Sequence, residues 1–153
     1  MKIKLNDVKK LREKTGVSVM ECRKALDDAK GNFSKAEKIL LERGIARAEE
    51  KSNRKAFEGL IESYIHSNGK IGAMVELLCE TDFVARTNDF KTLAHELVMQ
   101  IAAMEPKDVE NLLEQPYIRD YTITISDLVK KTIAKLGENI VVKRFERFEL
   151  GEE

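Results

Sequence analysis

Lys70-Ile71-Gly72-Ala73-Met74-Val75-Glu76-Leu77-Leu78 leads without a break into Cys79-Glu80-Thr81-Asp82-Phe83-Val84-Ala85-Arg86. The first nine residues are dominated by β-branched and apolar side chains and predict a strand. From Asn88 the period changes. Phe90, Leu93, Leu97, Ile101 and Met104 recur at helical spacing, with Ala94 and Val98 widening the stripe, so 88–104 predicts a helix. Residues 79–86 are then a strand-to-helix corner, and corners lie on the surface because buried irregular backbone leaves N–H and C=O groups unpaired. Two readings of that corner stand side by side. Thr81 or Asp82 caps the following helix while Phe83 staples it to the sheet. Alternatively, the adjacent carboxylate and aromatic ring face outward and contact another protein.

Upstream, Gly59 to His66 reads as a second strand, joined to the first through Asn68-Gly69. That dipeptide predicts a type I′ hairpin turn, in which both central residues take positive φ. Within the Lys70 strand, Ile71, Ala73, Val75, Leu77 and Cys79 share one face. Met74 and Leu78 occupy the other, with Glu76 the only clearly polar residue there. A strand with one wet face alternates more cleanly, so both faces are expected to be covered, one of them by helices. Downstream, Pro106 ends the long helix and opens a short helical turn to Leu112. Gln115-Pro116-Tyr117 begins an extended connection. Ser126 is the expected cap of a last helix carrying Leu128, Val129, Ile133 and Leu136, which Gly137 stops. Ile140 to Leu150 is the final strand. Its apolar phase slips between Val142 and Phe145; either a bulge near Lys143 restores it or Phe145 faces a second surface.

The amino-terminal part reads as three short helices. Asn6 is the expected cap of the first, with Val8 and Leu11 on its inner face and Gly16 as its left-handed stop. Ser18 and Glu21 form a capping-box pattern ahead of the stripe Val19, Cys22, Leu26 and Ala29, which Gly31 ends; Ser34 and Glu37 repeat the pattern ahead of Ala36, Ile39 and Leu40, a stripe that runs to Gly44. The expected organisation is a three-helix bundle over 1–45, a charged connecting helix or linker over 46–56, and an α+β core over 57–153 with a small antiparallel sheet packed with helices.

The composition narrows the function. Lysines plus arginines number 27 and aspartates plus glutamates also 27, so no basic excess marks a nucleic-acid partner. The basic and aromatic alternation of Lys143-Arg144-Phe145-Glu146-Arg147-Phe148 is explained at least as well by a half-buried strand. Cys22 and Cys79 fall on apolar faces and read as buried small hydrophobes. His66 and His95 have no metal or nucleophile partner nearby in sequence. No Gly-rich loop precedes Lys-Ser or Lys-Thr, so no nucleotide cradle is expected. No apolar run is long enough to span a membrane, and Met1-Lys2-Ile3-Lys4 leads into no signal-peptide core. The expectation is a cytoplasmic protein that is not an enzyme and holds no metal or cofactor.

Thr81-Asp82-Phe83-Val84-Ala85-Arg86 resembles the signature of the elongation factor Ts family, the nucleotide exchange factors of the translational GTPase elongation factor Tu. Val8 to Gly16, Met20 to Leu26, Gly31-Asn32-Phe33 and Ala36-Glu37 resemble the family's amino-terminal module, a ubiquitin-associated-like bundle. Gly137-Glu138-Asn139-Ile140 and Arg144-Phe145-Glu146-Arg147-Phe148-Glu149 resemble the end of its core domain. The resemblance implies that Thr81, Asp82, Phe83 and Val84 enter the GTP-binding domain of elongation factor Tu near its magnesium site. Phe83 would be the wedge there and Asp82 would act on groups around the metal. It also implies a second contact through Lys9, Arg12, Val19 and Met20, and a homodimer through the α+β domain in a short, single-core form. Compared with that family the chain is short between Met104 and Glu114. The rival expectation is an interaction and dimerisation module without exchange activity.

Overall fold

The computed structural model describes residues 3–152. Three helices open the chain: α1 (Leu5–Thr15), α2 (Val19–Asp28) and α3 (Phe33–Lys51). Val8, Leu11, Cys22, Ala25, Leu26, Ala29, Ala36 and Leu40 bury together as their core. Gly16 ends α1 at φ 69, as its position in the sequence implied. Ser18 caps α2 by accepting from the Glu21 N–H at 3.3 Å.

Other boundaries differ from expectation. Helix α1 starts one residue before Asn6, and its N-cap, Lys4, offers no side-chain bond. Helix α3 is capped by Asn32, which accepts from the Lys35 N–H at 2.9 Å, so Ser34 lies inside the helix. Gly44 does not end α3. The helix continues to Lys51, and at Gly44 it presses against the helix that carries Ala134: a Cβ there would lie 3.2 Å from the Ala134 Cβ. The stretch expected as a separate connector is thus partly the last turns of α3, which adds Ala48 to the second core while Ala36 and Leu40 belong to the first.

The second core is built on a three-stranded antiparallel sheet of β1 (Glu58–Ile65), β2 (Ile71–Cys79) and β5 (Val141–Glu149), with β2 in the centre. A short helix, α4 (Asp82–Ala85), follows β2 and leads into α5 (Asn88–Met104), which lies across β1 and β2. Helix α6 (Val109–Glu114), a small hairpin of β3 (Pro116–Tyr117) and β4 (Asp120–Thr124), and α7 (Ile125–Leu136) complete the core. Helix α7 packs on α5 and most extensively on α3, which joins the bundle to the rest. Thr124, not Ser126, caps α7, in a full capping box with Asp127. The extended connection after Gln115 is the β3–β4 hairpin, held by buried Gln100, which donates to the Pro116 carbonyl at 3.1 Å and accepts from the Ile118 N–H at 3.0 Å.

The β1–β2 turn is not type I′. The Gly69 N–H donates to the His66 carbonyl at 2.8 Å, and Gly69 alone takes positive φ (70°), so Asn68 keeps ordinary backbone geometry and its side chain accepts from the Lys70 N–H. The bulge in β5 is where the slipped phase put it. Glu76 pairs with Arg144 and Leu77 with Val142, leaving Lys143 as the extra residue. Ala73, Val75, Leu77, Cys79 and Val142 then point into the helices. The opposite face of the sheet is open: Ile61, Ile65, Met74 and Phe148 are all at least half exposed. Gly72 lies directly beneath Ile65, whose Cδ1 would stand 2.8 Å from a Cβ there. Among the described residues none of the same chain supplies the expected second cover for this face.

Candidate functional site

The corner after β2 takes its cap from one reading of its sequence and its outward Phe83 from the other. Thr81 is in extended geometry and its Oγ1 accepts from the Val84 N–H at 3.4 Å, which starts α4. Val84 is half-buried against the core and Ala85 is buried, so these two anchor the turn from below. Phe83 does not staple anything. Its ring is 76% exposed, the consequence of a four-residue helix whose inner side is already filled by Val84 and Ala85. Asp82 sits beside it, its carboxylate 2.9 Å from the Arg86 guanidinium across one turn. The chain then re-enters helix through Thr87, which accepts from the Phe90 N–H and donates to the Val84 carbonyl at 2.7 Å; Phe90 is fully buried.

What fixes this corner is a residue far away in sequence. Glu138, between α7 and β5, accepts from the Glu80 N–H at 3.1 Å and the Thr81 N–H at 2.9 Å through Oε1, and from the Thr81 hydroxyl at 2.7 Å through Oε2. Glu80 returns the contact by accepting from the Asn139 N–H at 2.7 Å, and Arg54 lies 3.6 Å from the same Glu80 oxygen. Asn139 is buried and donates to the carbonyls of Ser52 and Arg54, at the exit of α3. Beneath the corner the buried Cys79 thiol donates to the Thr81 carbonyl at 3.0 Å. Burial, and then the nearby Glu138 charge, push this thiol up to about 11. It is a structural group, since the reactive form of cysteine is the thiolate.

Lys9, Arg12, Val19 and Met20 are all exposed. Lys9 and Arg12 are three residues apart on α1 and so lie on one face of it. Neither is engaged in an ion pair among the described residues. Val19 and Met20 open α2, at 45% and 78% exposure, so neither is a core residue. Met20 stands outward because the inward positions of α2 are taken by Cys22, Ala25 and Leu26.

Sequence reasoning brought Thr81, Asp82, Phe83 and Val84 to one corner and missed Glu80, Glu138, Asn139 and Arg54, which hold it. The tetrapeptide Gly137-Glu138-Asn139-Ile140 was the available signal, but its partners lie more than fifty residues upstream. Elsewhere, Glu105, Glu149 and Glu152 bring carboxylates within 4.8 Å of one another in the open, with Arg147 answering their charge at 3.7 Å from Glu105 and 3.2 Å from Glu149. Among the described residues no helix is long and apolar enough to cross a membrane.

A family profile described as "Elongation factor TS" matches residues 80–153. Similarity to individual proteins extends further. Elongation factor Ts of Coprothermobacter proteolyticus is 45% identical, the match covering 99% of this chain and 100% of that protein. Elongation factor Ts of Methylacidiphilum infernorum is 45% identical over 95% of this chain and 94% of its own length. That of Rippkaea orientalis is 42% identical over 98% and 79%. The first alignment runs over 197 residues against the 153 of this chain, so that relative carries residues with no counterpart here. In the fold, residues 105–108 alone join α5 to α6.

Proposed function

The chain belongs to the elongation factor Ts family, and on that premise we propose that it is the nucleotide exchange factor of elongation factor Tu, promoting GDP release by disturbing the magnesium site. A role in translation elongation comes with the family; the exchange step rests on one observation above all. Phe83 is a large apolar side chain held out in water on a corner whose backbone is tied down on the other side by Glu138. A ring so exposed adds little to the stability of the protein that carries it. Presented on a fixed turn, it loses little conformational freedom when it enters a partner's cleft.

The chemistry required is not covalent. Magnesium demands near-ideal octahedral geometry and bridges the phosphates of a bound nucleotide. A ring pushed between the elements that carry its ligands weakens magnesium, and with it GDP. Asp82 is the adjacent charge that acts on groups around the metal. To do so it must leave Arg86, and an exposed i,i+4 pair costs only about 0.3–0.5 kcal/mol to open. Thr81 and Val84 set the geometry: one caps the turn, the other anchors it. Exchange is then linkage, in which factor and nucleotide weaken each other's binding by the same factor, and GTP in excess displaces the protein.

Lys9, Arg12, Val19 and Met20 supply the second contact with the same GTPase. Met20 suits an adaptable interface because its side chain is flexible and polarisable. The open sheet face serves a different contact. Ile61, Ile65, Met74 and Phe148 form an apolar surface that a second copy of the chain would cover, making a homodimer in the cytoplasm. The same face favours the rival reading, a dimerisation module without exchange. Elongation factor Tu loaded with a fluorescent GDP separates the two. Catalytic amounts of this protein should accelerate loss of the fluorophore, and no acceleration at saturation would leave only the interaction module.

A further inference from the structure

We propose that Glu138 is the positioning residue of the exchange corner: it sets where Phe83 and Asp82 stand without touching the partner itself. This rests on the exchange function proposed above. The carboxylate spends both oxygens on the corner, accepting from two consecutive backbone N–H groups and from the hydroxyl that caps α4. Those groups belong to Glu80 and Thr81, the last residues before the helix that carries Phe83. A carboxylate that collects several N–H and O–H donors forms bonds roughly twice as strong as neutral ones. Few other groups restrain this turn from outside. Cys79 holds the Thr81 carbonyl from below, and Val84 and Ala85 fill the inner side.

The clasp is reciprocal, which is why it constrains orientation and not merely proximity. Glu138 accepts from the Glu80 N–H while Glu80 accepts at 2.7 Å from the N–H of the next residue, Asn139, so each carboxylate holds the backbone of the segment that carries the other. Asn139 extends the same network to the Ser52 and Arg54 carbonyls at the end of α3. Helix α3 is continuous from the bundle that carries Lys9, Arg12, Val19 and Met20. The α7–β5 connection thus ties the two proposed contact surfaces into one frame. Glu138 is the member of that network aimed at the corner.

Three measurements test this. In Glu138→Ala the amides of Glu80 and Thr81 should exchange hydrogen faster than in the parent, while amides of β2 are unchanged. The maximal rate of GDP release at saturating factor should fall about tenfold with little change in the half-saturating concentration, a coupling within the range of residues that share one hydrogen-bond network. Adding Glu138→Ala to the double variant Phe83→Ala, Asp82→Asn should cause no further loss, because Glu138 acts through the two side chains it positions. Additive losses, or an exchange rate in Glu138→Ala equal to the parent's, overturn the inference. If the alanine variant does not fold, Glu138→Gln keeps the shape and one acceptor, and it should fall between parent and alanine expectation; a parental maximal rate in that variant overturns the proposal equally. A parent protein that accelerates no release overturns the exchange reading, and the amide measurement still tests the clasp by itself.

Discussion

Truncating Phe83 to alanine separates a side chain that holds the fold from one that works on a partner. The ring leaves 76% of its surface in water. A phenylalanine offers on the order of 200 Å² for burial, so roughly 50 Å² is covered in the free protein. At about 25 cal/mol per Å² that area contributes about 1 kcal/mol to folding. For a chain of this length, 1 kcal/mol moves the melting temperature by about 2–4 °C. The same ring seated in a partner's cleft belongs to the class of interface anchors whose truncation costs about 2 kcal/mol or more. That corresponds to about thirtyfold in affinity. Phe83→Ala should therefore melt within a few degrees of the parent and lose most of its power to release fluorescent GDP from elongation factor Tu. The two readouts come from one preparation, thermal melting followed by circular dichroism and stopped-flow release. A melting temperature lowered by 10 °C or more with an unaltered release rate would mean that Phe83 is a structural staple, and the assignment of the corner would fall.

Asp82→Asn keeps the turn and removes the charge, so it should slow release of magnesium-bound GDP clearly more than release of GDP in excess chelator; an equal effect in both conditions would remove Asp82 from the metal step. Sedimentation at micromolar concentration should show a dimer, and Met74→Glu should shift it to monomer, since Met74 is half exposed at the centre of the open face and each apolar side chain fully buried there contributes roughly 1.5–3 kcal/mol; a strictly monomeric parent refutes the dimer. Stability should fall at alkaline pH. Burial raises the Cys79 thiol from its ordinary 9.0 to about 11 in the folded protein, and burial and Glu96 shift Tyr117 upward too. Between those values the unfolded chain binds fewer protons, so stability is lost as pH rises from 9 to 11, at up to about 1.4 kcal/mol per pH unit for Cys79. Melting curves of the parent and Cys79→Ala over that range check this, and the alanine variant should show the shallower slope.

The features that were legible in the sequence are those set by local chemistry. The period of 88–104, the glycine stops at Gly16 and Gly137, and the parity break in β5 each depend on neighbours within a turn or a strand pair. The parity break marked where a bulge would fall, and the pairing of β2 with β5 decides for the bulge over a Phe145 turned to a second surface. The misread boundaries share a different cause. Gly44 looked like a helix stop, since glycine inside a helix costs roughly 1 kcal/mol relative to alanine. Close packing against Ala134 offsets that cost, and Ala134 is ninety residues away. Ser34 and Ser126 were sound caps by type, but Asn32 and Thr124 lay within two residues and were equally able. Asn68-Gly69 fits a type I′ turn by composition; the cross-strand pairing of Ile65 with Gly72 leaves a longer loop in which only Gly69 needs positive φ. At the corner, Thr81 to Val84 were readable because their neighbours in sequence are their neighbours in space. Glu138 was not, because nothing local to Gly137-Glu138-Asn139 says which backbone its carboxylate meets.

The open sheet face and the Phe83 corner are placed so that using one does not consume the other. Ile65, Met74 and Phe148 cluster toward the β1–β2 turn, on the sheet face away from α5. Phe83 follows the opposite end of β2. Five residues separate Met74 from Cys79, about 16 Å along a strand at roughly 3.3 Å per residue, and the corner lies beyond that. A second copy stacked over Met74 would leave Phe83, Asp82 and the Glu138 clasp on the rim. Nor does the pairing reach the bundle, whose α3 packs on α7 on the helical side of the sheet. Covering the open face therefore stabilises the core strands without occupying either contact proposed for the GTPase, and a dimer of this chain would present two complete exchange surfaces.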